Sequence, residues 1–139
     1  MAPELERGQV EFLEVALRRV NAERFKGAVI VAVHHDLNSP RRRGGSPKML
    51  ADLDSIALRC GVWPHAVLSA HTHTYQRYTR TVKTMQIPYV VEDNGGYRVG
   101  PALPGADKAV GKRVRTRLDN VRFEALDVKH YGFLARHRR

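Results

Sequence analysis

The sequence predicts an α/β domain built around a βαβ unit and completed by a terminal antiparallel pair of strands. Three observations predict it. Residues 28–33 form a β-branched apolar run without alternation, the pattern of a strand in a parallel sheet. A segment of helical spacing separates that run from a second short apolar run at 66–69. Near the C-terminus, residues 121–125 alternate in polarity, and 131–134 follow after a short turn, as in a hairpin.

Taken in order, Val10, Leu13, Ala16, Leu17 and Val20 recur at helical spacing, with Glu11, Glu14, Arg18 and Arg19 opposite them. Residues 8–24 therefore predict an amphipathic helix that ends before Gly27. The run at 28–33, apolar on both parities, predicts a strand covered on both faces. A polar loop follows, through His34, His35 and Asp36 to the arginines 41–43. Ser46 suits a helix cap and Pro47 the first helical position, so a second helix opens there. Met49, Leu53, Ile56, Ala57 and Cys60 form its buried stripe, and Gly61 ends it. Tyr89, Val90 and Val91 predict a further strand, closed by an Asn94-Gly95-Gly96 turn. Residues 98–120 read as a basic irregular loop, and 121–135 as the terminal hairpin. No internal repeat or linker divides the chain, so 1–139 reads as one domain.

Composition bounds the function. Hydrophobic residues make up 42% of the 139, enough for a core. No stretch approaches the roughly 20 apolar residues of a membrane helix. The first residues show no basic start followed by an apolar stretch, so a cytoplasmic location is the expectation. The single cysteine, Cys60, excludes an internal disulfide and a Cys-based zinc motif, and its place on the apolar side of a helix predicts a packed thiol. The net charge is +10, from 24 Lys and Arg against 14 Asp and Glu. Such an excess attracts polyanions. It is concentrated in Arg41-Arg42-Arg43, in residues 112–117 and in 136–139, without the interleaved aromatic residues of a base-stacking platform. A basic solvated surface is the preferred reading. A non-catalytic nucleic-acid-binding or structural module is the alternative.

The chemistry lies at the strand ends. Ligands of open α/β sheets gather beyond the carboxyl ends of the strands. The first strand runs into His34-His35 and the second into His71-Thr72-His73. In extended backbone, residues i and i+2 share a side, so His71 and His73 are expected to face one site. Imidazole suits Zn, Fe, Mn or Ni, and three histidines suffice for a tetrahedral zinc with water in the fourth position. His65, His130 and His137 lack such placement and read as surface or packing residues.

These segments also resemble a known family. Val31-Ala32-Val33-His34-His35 is similar to the "VxxHHP" strand end of calcineurin-like metallophosphoesterases. The stretch from Gly61 to Tyr78, with His71-Thr72-His73-Thr74-Tyr75-Gln76-Arg77 at its centre, resembles their "GHxHxYxR" segment, of the purple-acid-phosphatase-like type. Ile87 to Val91 and then Asn94-Gly95-Gly96 resemble the strand and "GNGG" turn that come next, and Gln9 with Phe12-Leu13 the "QxxWL" helix before. The resemblance runs from about Gln9 to Phe133. It implies the C-terminal half of an αββα sandwich, a phosphate-ester substrate and a binuclear Fe, Mn or Zn centre. Carried over by motif, His34 and His71 would bind one metal and His73 the other. His35 falls on a spacer position, and Tyr75 and Arg77 on positions that pack beneath the site.

The departures are as informative. The family's "DxH", "GDxxD" and "GNHE" motifs, which bring its carboxylates and leaving-group acid, do not occur. Asp36 stands where the pattern has proline, and Ala70 where it has glycine. Two divalent ions bring +4, which three neutral imidazoles in a chain of charge +10 do not offset. At most one metal ion is therefore expected, with Asp36 and Asp93 as the nearby carboxylates. Hydrolysis would need the missing motifs from a partner chain or a longer gene product. A half-sheet also leaves a strand edge open, so self-association is expected.

Overall fold

The structure, a computed structural model, describes residues 4–37, 45–96, 98–100, 105–112 and 120–135. The arginines 41–43, residues 113–119 and 136–139, and with them His137, lie outside the described residues.

Helix α1 spans Arg7–Ala22. The Glu6 N–H donates to Gln9 Oε1 at 3.0 Å, which closes its first turn. Strand β1 follows at Ile30–His35 and helix α2 at Pro47–Cys60. Both ends of α2 form as the sequence predicts. Ser46 Oγ accepts from the Met49 N–H at 3.2 Å, and Gly61 takes φ 67°, a left-handed cap that a side chain resists. Strand β2 is Ala66–Ala70, β3 is Tyr75–Val82, β4 is Met85–Glu92 and β5 is Val121–Asp127.

The five strands form one mixed sheet in the order β1-β2-β4-β3-β5. Strands β1, β2 and β4 are parallel, and β3 runs antiparallel to both β4 and β5. β1 therefore stands at the open parallel edge. The βαβ unit is β1-α2-β2. Pro88 lies inside β4 without breaking it, because β2 pairs with β4 only from Tyr89 onward.

One face of the sheet carries the core. Val31, Val67, Tyr78, Val82, Ile87, Tyr89, Val91, Val121 and Phe123 are buried there with Met49, Leu50 and Leu53 of α2. A second cluster joins Leu17 of α1 to Ile56 and Cys60 of α2. Cys60 is the packed thiol its position predicts. The core includes a charged device. Arg80, 4% exposed, donates from both terminal nitrogens to Asp54 at 2.7 and 2.6 Å, and to the Tyr89 hydroxyl at 3.1 Å. Its guanidinium stands 6.0 Å from the ring centres of Trp63 and of Tyr89. Burial opposes its charge, yet the bonds to Asp54 and Tyr89 raise its pKa overall.

Two expectations are corrected. β1 is covered on one face only: Val31 is buried, but Ile30 is 48% exposed and Ala32 is exposed as well. The reason is that α2 packs on the Val31 face. The terminal hairpin does not form either. β5 pairs with β3, and residues 131–135 carry no strand. Asp127 turns the chain away at that point, its Oδ1 accepting the N–H groups of Lys129 and His130 at 2.9 and 3.0 Å. Tyr131 and Phe133 beyond it are 68% and 86% exposed. Among its described residues, the basic loop holds a short 3₁₀ turn, Asp107–Ala109. Among the described residues, no helix is long and apolar enough to cross a membrane.

Candidate metal centre

The parallel pairing of β1 and β2 brings two histidine-bearing ends together, as the sequence predicts. A regular strand would point His34 and His35 to opposite faces. It does not here, because the pairing slips. Ala32 faces Leu68 and His35 faces Ala70, so three steps on β1 span two on β2. That extra residue is a bulge, which turns consecutive side chains toward the same edge. The rings of His34 and His35 lie edge to face with centres 5.0 Å apart.

His71 completes the cluster from beyond β2. Its Nδ1 stands 3.3 Å from His34 Nε2, and its ring centre 4.4 Å from that of His35. One nitrogen from each of His34, His35 and His71 lies within 4.8 Å of the others. His34 and His71 are exposed and His35 half-buried, so the cluster opens to solvent. The pKa of His35 is lowered, first by burial and then by the neighbouring His71 and His34; the Asp36 carboxylate works the other way. A lowered imidazole is neutral near pH 7 and keeps a lone pair for a metal.

His73 is placed elsewhere. The i, i+2 argument fails because residues 71–74 are a bend between β2 and β3, with φ 76° at His71 and 53° at His73. Both are left-handed angles that non-glycine residues rarely adopt. The His73 N–H donates to Asp93 Oδ2 at 3.0 Å, and its Nε2 stands 3.8 Å from the same oxygen. Gly100 N–H donates to the His73 carbonyl at 2.7 Å, and a Cβ on Gly100 would meet the Thr72 carbonyl at 2.8 Å. His73 is thus fastened to Asp93 and the 98–100 segment. It stands outside the three-histidine group, and so do Asp36 and Asp93.

A buried polar chain holds the bend from beneath. Thr72 and Thr74 hydroxyls lie 2.9 Å apart. Gln76 Nε2 donates to Thr74 at 2.8 Å and, more weakly, to Thr72 at 3.4 Å. Tyr78 Oη donates to Gln76 Oε1 at 2.5 Å. Strain of this kind persists only where surroundings over-determine it. Nearby, the Glu92 carboxyl is pushed up by burial and then by Asp93. Buried Asn94 donates to the His130 carbonyl at 2.9 Å, which ties the Asn-Gly-Gly turn to the C-terminal segment. His65 serves the fold: its Nδ1 accepts from the Val29 N–H at 3.0 Å. His130 bonds to Asp127.

The donor set fits a single ion held by imidazoles. Among the described residues, no carboxylate joins the group. No protein-family model matches the chain, and no curated protein matches its sequence.

Proposed function

We propose that this chain carries the C-terminal part of a metal-dependent phosphoesterase site, with a phosphate ester as substrate. The observation that carries the reading is the 3.3 Å approach of His34 and His71 at the carboxyl ends of neighbouring parallel strands. The order of motifs from Gln9 to Phe133 supports the family. When bound, a divalent transition metal supplies a Lewis acid that lowers the pKa of bound water and stabilises phosphoryl oxygens. The chain's own part is to hold and orient. His34 and His71 would grip the ion, the bulge in β1 sets their approach, and the Thr72-Thr74-Gln76 chain fixes the bend that presents His71.

The leaving-group acid and the carboxylates belong to motifs this sequence does not contain. The chain by itself therefore turns over slowly or not at all, and gains activity when the missing motifs are supplied. The test has two parts. With the missing motifs supplied by a second chain, hydrolysis of p-nitrophenyl phosphate with Mn, Fe or Zn should appear, and it should be lost in His34→Ala and His71→Ala. Inorganic phosphate should bind the metal-loaded wild type and neither variant. Metal-loaded protein that takes up no phosphate at millimolar concentration would remove the phosphoesterase reading.

A further inference from the structure

We propose that the chain builds a one-metal site with His34, His35 and His71 as its three protein ligands, and that the ion it takes is zinc. The proposal rests on the metal-binding part of the reading above, not on phosphoester hydrolysis. It departs from the family pattern in two respects: His35 is a ligand, and His73 is not.

Geometry argues for His35. Two nitrogens about 2.0–2.1 Å from a tetrahedral zinc stand about 3.3 Å apart. His71 Nδ1 and His34 Nε2 are already at 3.3 Å, so that pair defines one edge of a tetrahedron. His35 offers its nitrogen within 4.8 Å of both and closes a face by turning its ring. The bulge between Ala32 and His35 explains why two consecutive histidines reach one point. A bulge next to a cluster of ligands is a device that re-aims side chains.

Geometry argues equally against His73. Its backbone N–H is held by Asp93 and its carbonyl by Gly100, and φ at 53° turns it out of the register of an extended strand. The position that sequence spacing makes a ligand is fixed to the neighbouring strand end instead.

The donor chemistry selects the metal. Three neutral imidazoles leave one divalent ion at +2 and two ions at +4, with no carboxylate among the described residues in the group to offset either. One ion is the smaller imbalance. Magnesium and calcium prefer oxygen ligands, and non-haem iron prefers two imidazoles with a carboxylate. An all-imidazole set of three with an exposed fourth position is the arrangement of a tetrahedral zinc that carries water.

The experiment is zinc binding to the full chain, by equilibrium dialysis with metal analysis, repeated with cobalt for its tetrahedral absorption bands. One ion per chain is expected. Losing a direct ligand should weaken binding by more than the roughly 10- to 100-fold typical of outer partners. His35→Ala should therefore bind zinc more than about 100-fold more weakly and lose the cobalt bands. His73→Ala should stay within about threefold of wild type. Nitrogen-detected imidazole spectra of the wild type, titrated with zinc, give the same answer without a substitution: His34, His35 and His71 should shift, and His73 should not. Two ions per chain overturns the proposal. So does a His35 resonance indifferent to zinc, or a His73→Ala loss as large as that of His35→Ala. Zinc binding as proposed, with no phosphate uptake, leaves this site standing and removes the phosphoesterase reading alone.

Discussion

Replacing Gln76 by Leu tests whether the polar chain beneath the bend holds the site. Gln76 is 2% exposed and makes bonds of 2.8 Å to Thr74, 3.4 Å to Thr72 and 2.5 Å from Tyr78. A buried polar group deprived of its partner costs about 1–3 kcal/mol. The two threonines keep their mutual bond, and the 3.4 Å contact is weak, so the total is about 3 kcal/mol rather than the sum of three losses. The same substitution frees the left-handed bend at His71, so zinc affinity should fall by about 10- to 100-fold, as for outer partners of metal ligands. Urea denaturation at constant m-value gives the first number and competition with a zinc indicator the second. A loss under about 1 kcal/mol with unchanged zinc affinity would refute the reasoning.

Two further predictions concern charge. Asp54→Ala strands Arg80, but the Asp54 side chain is 22% exposed, so the cost sits at the low end for a buried pair, about 3 kcal/mol. Thermal melts should shift down by about 10 °C, and the double variant Arg80→Met, Asp54→Leu should return most of that loss; a double variant worse than the single would contradict the account. The Asp127 carboxyl is lowered to about 2 by the backbone N–H groups of Lys129 and His130 and then by the His130 ring. A lowered carboxylate stabilises the fold above its unfolded pKa near 4, and the contribution fades as pH falls from there through about 2. Asp127→Asn should cost about 1 kcal/mol at pH 7 after screening of this part-exposed group, and only a small fraction of that at pH 2. A cost independent of pH would show that charge is not the cause.

Helix α2 was legible almost to the residue because its signals are local. Ser46, Pro47 and Gly61 act on their own backbone and need no tertiary context. The β1-α2-β2 unit was legible for the same reason, and it correctly brought His34 and His71 together. Strand β3 was not legible. Its buried face reads Gln76, Tyr78, Arg80, Val82, with two polar residues where alternation demands apolar ones. Gln76 is bonded by Thr74 and Tyr78 on its own face of the strand, and Arg80 by Asp54 of α2 and Tyr89 of β4, none of which alternation reads. Missing β3 left β5 without its true neighbour, which made a local hairpin with 131–134 the nearest alternative. The site divides along the same line. His34 and His71 follow from strand order, whereas His35 depends on a one-residue register slip and His73 on left-handed backbone at non-glycine residues. No spacing rule encodes either, although a His-His pair at a predicted strand end is itself a signal to test both as ligands.

The position of β1 at the sheet edge gives the cluster a consequence for motion. Among the described strands β1 pairs with β2 alone, and its amides should open more readily than those of β4, which has a strand on each side. An ion shared by His34, His35 and His71 would clip this outermost strand to the next across 37 residues of chain. At 100 times its dissociation constant, such a ligand would make opening about 2.7 kcal/mol harder. Amide exchange over residues 30–35 should then slow by about 100-fold on adding zinc, while exchange in the β3–β4 hairpin stays as it was.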